Sequence, residues 1–160
     1  MKKTFALIAL LLFTFAFASA QSSGSIAAPS ASQLSQLGLK GASLQKTHDG
    51  IWSVKAGKKK SGYVINSTPY AQNIRGYRGA TPVLVYVDAG GTIKKIVALP
   101  NRETPEYFQD AEPMLRRWVG KPANKAETMN VDVVTGATYS CKGLIGNVRA
   151  ALKAYREHAK

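Results

Sequence analysis

The sequence is poor in the residues that build disulfide and metal chemistry. Among its 160 residues there is one cysteine, Cys141. A single cysteine excludes an intrachain disulfide and any zinc or iron–sulfur site that needs several thiolates. The two histidines, His48 and His158, have no HExxH or CxxC beside them, so no histidine-based metal site is expected. Acidic residues are also scarce, nine against 22 Lys and Arg, for a formal charge of +13. No nicotinamide-binding GxGxxG occurs. No basic stretch is interleaved with aromatics, so a nucleic-acid partner is not expected. What is present is an ordinary apolar fraction of 45%, enough for a core, in a chain of one-domain length. There is no internal repeat.

The first twenty residues read as a secretory signal. Lys2 and Lys3 form a positive start, and Phe5 to Phe17 is an apolar run broken only by Thr14. Ala18-Ser19-Ala20 supplies the small residues of a cleavage site, with Gln21 expected as the new N-terminus. The run is shorter than the roughly 20 residues a confident membrane span needs. A retained N-terminal anchor is the alternative reading. Cleavage removes two lysines and no acid, leaving 20 − 9, or +11. No cysteine follows the cleavage site to carry a lipid. An exported chain without a disulfide fits a bacterial envelope protein, periplasmic or otherwise extracytoplasmic, with no stable membrane span.

Residues 21–45 are expected to be a flexible tether, rich in Ser, Ala and Gln to about Ser35. Leu34, Leu37 and Leu39 suggest a short apolar entry. Trp52 to Lys55 alternates as a half-buried strand does, Ala56 to Lys60 reads as a turn, and Tyr63-Val64-Ile65 as the returning strand. Val83 to Val87 is a continuous apolar run of strand length. Asp88-Ala89-Gly90-Gly91 turns the chain and Thr92 to Leu99 returns, which is the clearest hairpin here. Pro100 to Gln109 reads as a polar loop. Asp110 is placed to cap a short helix with Pro113 in its first turn and Met114, Leu115, Trp118 and Val119 on one side. Val131, Val133 and Val134 suggest a last strand. Beyond Thr138, Leu144, Val148, Ala151, Leu152 and Tyr155 recur at helical spacing. Strands first and helices later predict an α+β domain over 46–160: a twisted antiparallel sheet of hairpins with a short helix and a C-terminal helix.

The chemistry-bearing segment is Asp132-Val133-Val134-Thr135-Gly136-Ala137-Thr138-Tyr139-Ser140. It reads as a strand end, a small-residue turn and a helix start, with Ser140 as a candidate N-cap. The unpaired first-turn amides and Lys142 could hold a phosphate at or just above Thr138. On geometry alone a plain strand–helix connection with a Ser cap explains the same residues and is the simpler reading.

The residues themselves resemble the FMN-binding domain family, whose signature is Asp-x-x-Ser/Thr-Gly-Ala-Ser/Thr. The family includes the periplasmic flavin subunits of sodium-pumping NADH:quinone reductase and of related electron-transport complexes. Two upstream loops, Gly76-Tyr77-Arg78-Gly79 and Glu103-Thr104-Pro105, are similar to loops that flank a long hairpin in that family. Glu106-Tyr107-Phe108 stands where those subunits carry Gly-Leu-Gly, so the resemblance is to the family rather than to either complex. Cys141 stands where the family often has a second serine.

The resemblance implies covalent FMN, joined by a flavin transferase through a phosphoester to Thr138, with Asp132, Thr135, Gly136 and Ala137 completing the motif. It also implies a flavin ring near Tyr77, Glu103 and Thr104. Tyr77 reads equally as loop packing, and Glu103 alternatively as the cap of the following turn. The implied activity is electron transfer between redox partners of the cell envelope rather than turnover of a small substrate. Two other readings stand beside it: a non-redox basic module for polyanions or anionic membrane, and a small flavin-dependent reductase.

Overall fold

The structure, a computed structural model, describes residues 24–159; the expected signal peptide lies outside them. The elements run α1 (Ala31–Gln36), β1 (Ser43–His48), β2 (Ile51–Ala56), β3 (Lys59–Asn66), β4 (Val83–Asp88), β5 (Ile93–Ala98), α2 (Pro105–Ala111), α3 (Ala123–Ala126) and α4 (Thr138–His158). Two 3-10 turns lie at Thr68–Tyr70 and Glu112–Trp118. The five strands form one antiparallel sheet in the order β1-β2-β3-β4-β5. The expected α+β architecture and both hairpins are therefore present.

The turn between β4 and β5 is held by one side chain. Asp88 Oδ1 accepts from the amides of Gly90 (3.0 Å) and Thr92 (2.9 Å), and Gly91 supplies the positive φ of +81°. Such a turn needs a short acceptor and a residue without a Cβ.

Both faces of the sheet are covered. Ile51, Ile65, Val83, Val85, Val87, Ile93 and Ile96 join α4 and the Met114–Trp118 turn in the main core. Val54, Val64 and Leu84 point the other way, onto Leu37, Leu39 and Leu99. Two covered faces explain why Val83–Val87 lacks the polar alternation of a half-exposed strand. They also give the N-terminal segment its place. Residues 31–45, read from the sequence as part of a tether, contain α1 and the start of β1, and Leu37 and Leu39 are buried against the second face. Ser30 and Gln33 close a reciprocal capping box at the start of α1.

Three local expectations are corrected. The polar loop Pro100–Gln109 gives way to α2 from Pro105, because Pro fits the first helical position and Phe108 and Ala111 reach the core. Asp110 therefore lies inside α2 and caps nothing; the following turn buries Met114, Leu115 and Trp118 but leaves Val119 exposed. The valines at 131–134 form no strand. Their backbone is held by side chains instead: Arg117 Nη1 donates to the Asp132 carbonyl at 3.4 Å, and the Val134 amide donates to Cys141 Sγ at 3.4 Å. Val131 and Val134 pack on the main core, and at the start of β5 Ile93 exchanges backbone hydrogen bonds with Gly120 and Lys121.

α4 has the expected stripe. Leu144, Val148, Ala151 and Leu152 are fully buried, and Tyr155 is half-buried with its ring edge-on to Tyr63. Asn147 adds a polar tie, accepting from Ser67 Oγ at 2.6 Å and donating to the Gly143 carbonyl at 3.0 Å. α4 is 21 residues long; no described helix is both long and apolar enough to cross a membrane.

Candidate functional site

Three segments distant in sequence meet at the N-terminal end of α4. They are the Gly76–Gly79 loop before β4, the Glu103-Thr104-Pro105 entry to α2, and the Thr135–Ser140 turn into α4. Glycines make the approach possible. A Cβ on Gly143 would stand 2.6 Å from Thr81 Oγ1 and 2.8 Å from the Gly76 amide nitrogen. A Cβ on Gly76 would stand 2.7 Å from the Glu103 carboxylate. Neither position tolerates a side chain without movement.

Glu103 is the hub. Its side chain is buried, and its oxygens accept from the amides of Tyr77 (2.9 Å), Arg78 (2.7 Å) and Gly79 (3.2 Å). Ser140 Oγ donates to the same carboxylate. Burial pushes the carboxyl up, but the Ser140 and three amide hydrogen bonds outweigh it and hold the group below the ordinary glutamate value. Ser140, expected as the N-cap of α4, is inside the first turn and spends its hydroxyl on Glu103. The N-cap is Ala137, which has no side chain to offer the first-turn amides. A methyl group there leaves the helix start open to an external acceptor.

Above this hub lies a cavity of about 260 Å³ lined by Tyr77, Tyr107, Gly136, Ala137, Tyr139 and Ser140. The three tyrosines are unusually open, at 66%, 50% and 64% exposure. The Tyr77 and Tyr139 rings are 6.0 Å apart. Two larger depressions lie elsewhere, about 720 Å³ beside β5 and about 520 Å³ along α4. Neither borders the motif, so size alone does not mark the site.

The remaining expected residues fall as follows. Thr138 is the first residue of α4 and half-exposed. Gly136 takes a φ of +86° with open space around it. Thr135 and Lys142 are exposed and do not line the cavity. The Asp132 side chain is 98% exposed, with Arg117 Nη1 4.0 Å away. Thr104 is the N-cap of α2 but makes no capping hydrogen bond, so its hydroxyl is free of that duty. Tyr107 and Tyr139 were not singled out by the sequence. Their signal was adjacency: Tyr139 follows Thr138 directly, and Tyr107 stands two residues after Pro105.

The donor set suits an aromatic phosphate ester: a half-exposed hydroxyl, an uncapped helix start and a cavity walled by tyrosine. Residues 76–153 match the family model described as FMN-binding domain. An FMN-binding domain is detected over this part of the chain. A comparison with curated proteins gives no match. The matched part of the FMN-binding domain starts in the Tyr77 loop and ends in α4, so it contains every segment that meets at the cavity, while β1–β3 precede it.

Proposed function

We propose that the chain is an exported flavoprotein that carries FMN on Thr138 through a phosphoester and passes electrons between redox proteins of the cell envelope. One observation carries this reading: the half-exposed Thr138 opens an uncapped helix beside a tyrosine-lined cavity, inside an FMN-binding domain. Thr138 would hold the phosphate, with the first-turn amides of α4 as donors to its oxygens. Tyr77, Tyr107 and Tyr139 would wall the ring. When bound, the flavin supplies the redox chemistry, accepting an electron pair and releasing electrons one at a time.

The chain's own residues do the rest. Gly136 keeps the approach to Thr138 clear of side chains. Asp132, at the surface, is free to meet a flavin transferase. The excess of Lys and Arg favours encounter with acidic redox partners, an attraction that salt weakens. A covalent link removes the dependence on free flavin outside the cytoplasm. The signal-like first twenty residues support export. The experiment is an intact mass of denatured protein from its own host. The expected value is the processed polypeptide plus one FMN less one water. The bare polypeptide mass overturns the attachment.

A further inference from the structure

We infer that Glu103 is a positioning residue that builds the flavin cavity and does not itself contact the flavin. A carboxylate has two oxygens and about four lone-pair sites. In this protein all four are used. Oε1 takes the amides of Arg78 and Gly79; Oε2 takes the amide of Tyr77 and the hydroxyl of Ser140. The group is 7% exposed and lies beneath the cavity rather than among its lining residues. No acceptor capacity is left for a ring N–H, and to free some the side chain would have to orphan a buried donor.

What the four bonds accomplish is a fixed geometry. The Tyr77 loop, the α2 entry and the first turn of α4 are 26 and 37 residues apart along the chain. At their closest approach two of the residues are glycine, Gly76 and Gly143, which have no side chains with which to grip. Phe108 and Ala111 pack α2 onto the core below, and the charged hub ties the Tyr77 loop to the α2 entry and to α4. Through it the Tyr77 wall of the cavity is held at a set distance from the Tyr139 wall on α4. Thr104, the next residue, makes no capping bond and, like Glu103, does not line the cavity. The inference rests on the flavin reading for the ring, but the hub is a property of the polypeptide.

The test therefore has two arms. In the first, amide hydrogen exchange is followed on flavin-free protein for wild type, Glu103→Gln and Ser140→Ala. The amides of Tyr77, Arg78 and Gly79 should exchange at least about tenfold faster in Glu103→Gln, as expected for lost bonds to a charged acceptor, and less so in Ser140→Ala. Amides of β2–β4 should stay within about twofold. In the second, flavin fluorescence and reduction potential are measured on loaded proteins. Ser140→Ala and Glu103→Gln should shift both in the same direction, the double variant adding little. Thr104→Val, beside the hub but not part of it, should leave loop exchange as in wild type. Unchanged loop exchange in a folded Glu103→Gln protein overturns the hub. A spectral shift in Glu103→Gln alone, with Ser140→Ala silent, overturns it in favour of direct contact. Absence of flavin in every protein defeats the flavin reading and leaves the first arm to decide the hub. If Glu103→Gln does not fold, Ser140→Ala decides both arms.

Discussion

The two ends of α4 are finished differently. At the C-terminal end the protein satisfies itself. Arg156 forks onto Glu127 at 2.8 and 3.2 Å, the Ala159 amide returns to the Tyr155 carbonyl, and His158 stacks on His48 with ring centroids 4.2 Å apart. The only two histidines, 158 − 48 = 110 residues apart in sequence, meet there as a structural clasp. At the N-terminal end the helix is capped by alanine, its first hydroxyl is half-exposed, and three tyrosines stand open to solvent. One helix thus has one end closed by its own side chains and one end left for something else. The starts of α2 and α3 also lack a side-chain cap, but among the described residues only α4 has its N-cap, Ala137, in the lining of the tyrosine-walled cavity, and that pairing is where a ligand is to be sought.

The sharpest way to break this contrast is at Thr138. Thr138→Ala should abolish all flavin that survives denaturation, while Thr138→Ser retains part of it because a hydroxyl remains. In-gel flavin fluorescence of protein from its host reads both. Asp132→Ala should fold as wild type, since its side chain is 98% exposed, yet load poorly. Normal loading with normal circular dichroism counts against a role in flavin transfer. Gly143→Ala tests the packing below the site. Its Cβ meets backbone at 2.8 Å, so about 1–3 kcal/mol of stability should be lost, measured by urea unfolding.

Acid tests the hub. The folded pKa of Glu103 lies below its unfolded value. Its contribution is therefore complete above the ordinary glutamate value. It fades as pH falls through that value and down through the folded pKa. A pH series of unfolding midpoints should show an acid-limb loss that is smaller in Glu103→Gln. At the closed end the effect is least. His158→Ala removes one stacked ring and should cost about 0.5–1.5 kcal/mol with flavin loading unchanged; reduced loading would show that the two ends are coupled.

The hairpins were legible because each combines alternating or continuous apolar residues with a turn that has its own chemistry, as at Asp88 to Gly91. α4 was legible from its stripe. β1 was not, because this edge strand carries one apolar residue, Leu44, among Ser43, Gln45, Lys46, Thr47 and His48, and is mostly exposed. The valines at 131–134 have strand propensity, but Val131 and Val134 pack on the core without pairing to a strand. In the site, the motif could be read from its letters. The role of Glu103 could not, because it depends on an approach of three loops that no local pattern encodes. Tyr107 and Tyr139 were missed for a related reason: whether a tyrosine is core or cavity wall depends on where the backbone aims it.

The order of the sheet has a consequence for when the site comes into being. All five strands pair with their neighbours in sequence, so the meander can form by short-range contacts as the chain emerges. Its main apolar face, however, is covered by α4, which follows every strand, and Thr138 sits at the start of that helix. The hydroxyl, the hub and the cavity therefore become a single object only once α4 has docked. On the proposed reading, a flavin transferase that recognises the assembled end of α4 would meet its substrate only in completed domains.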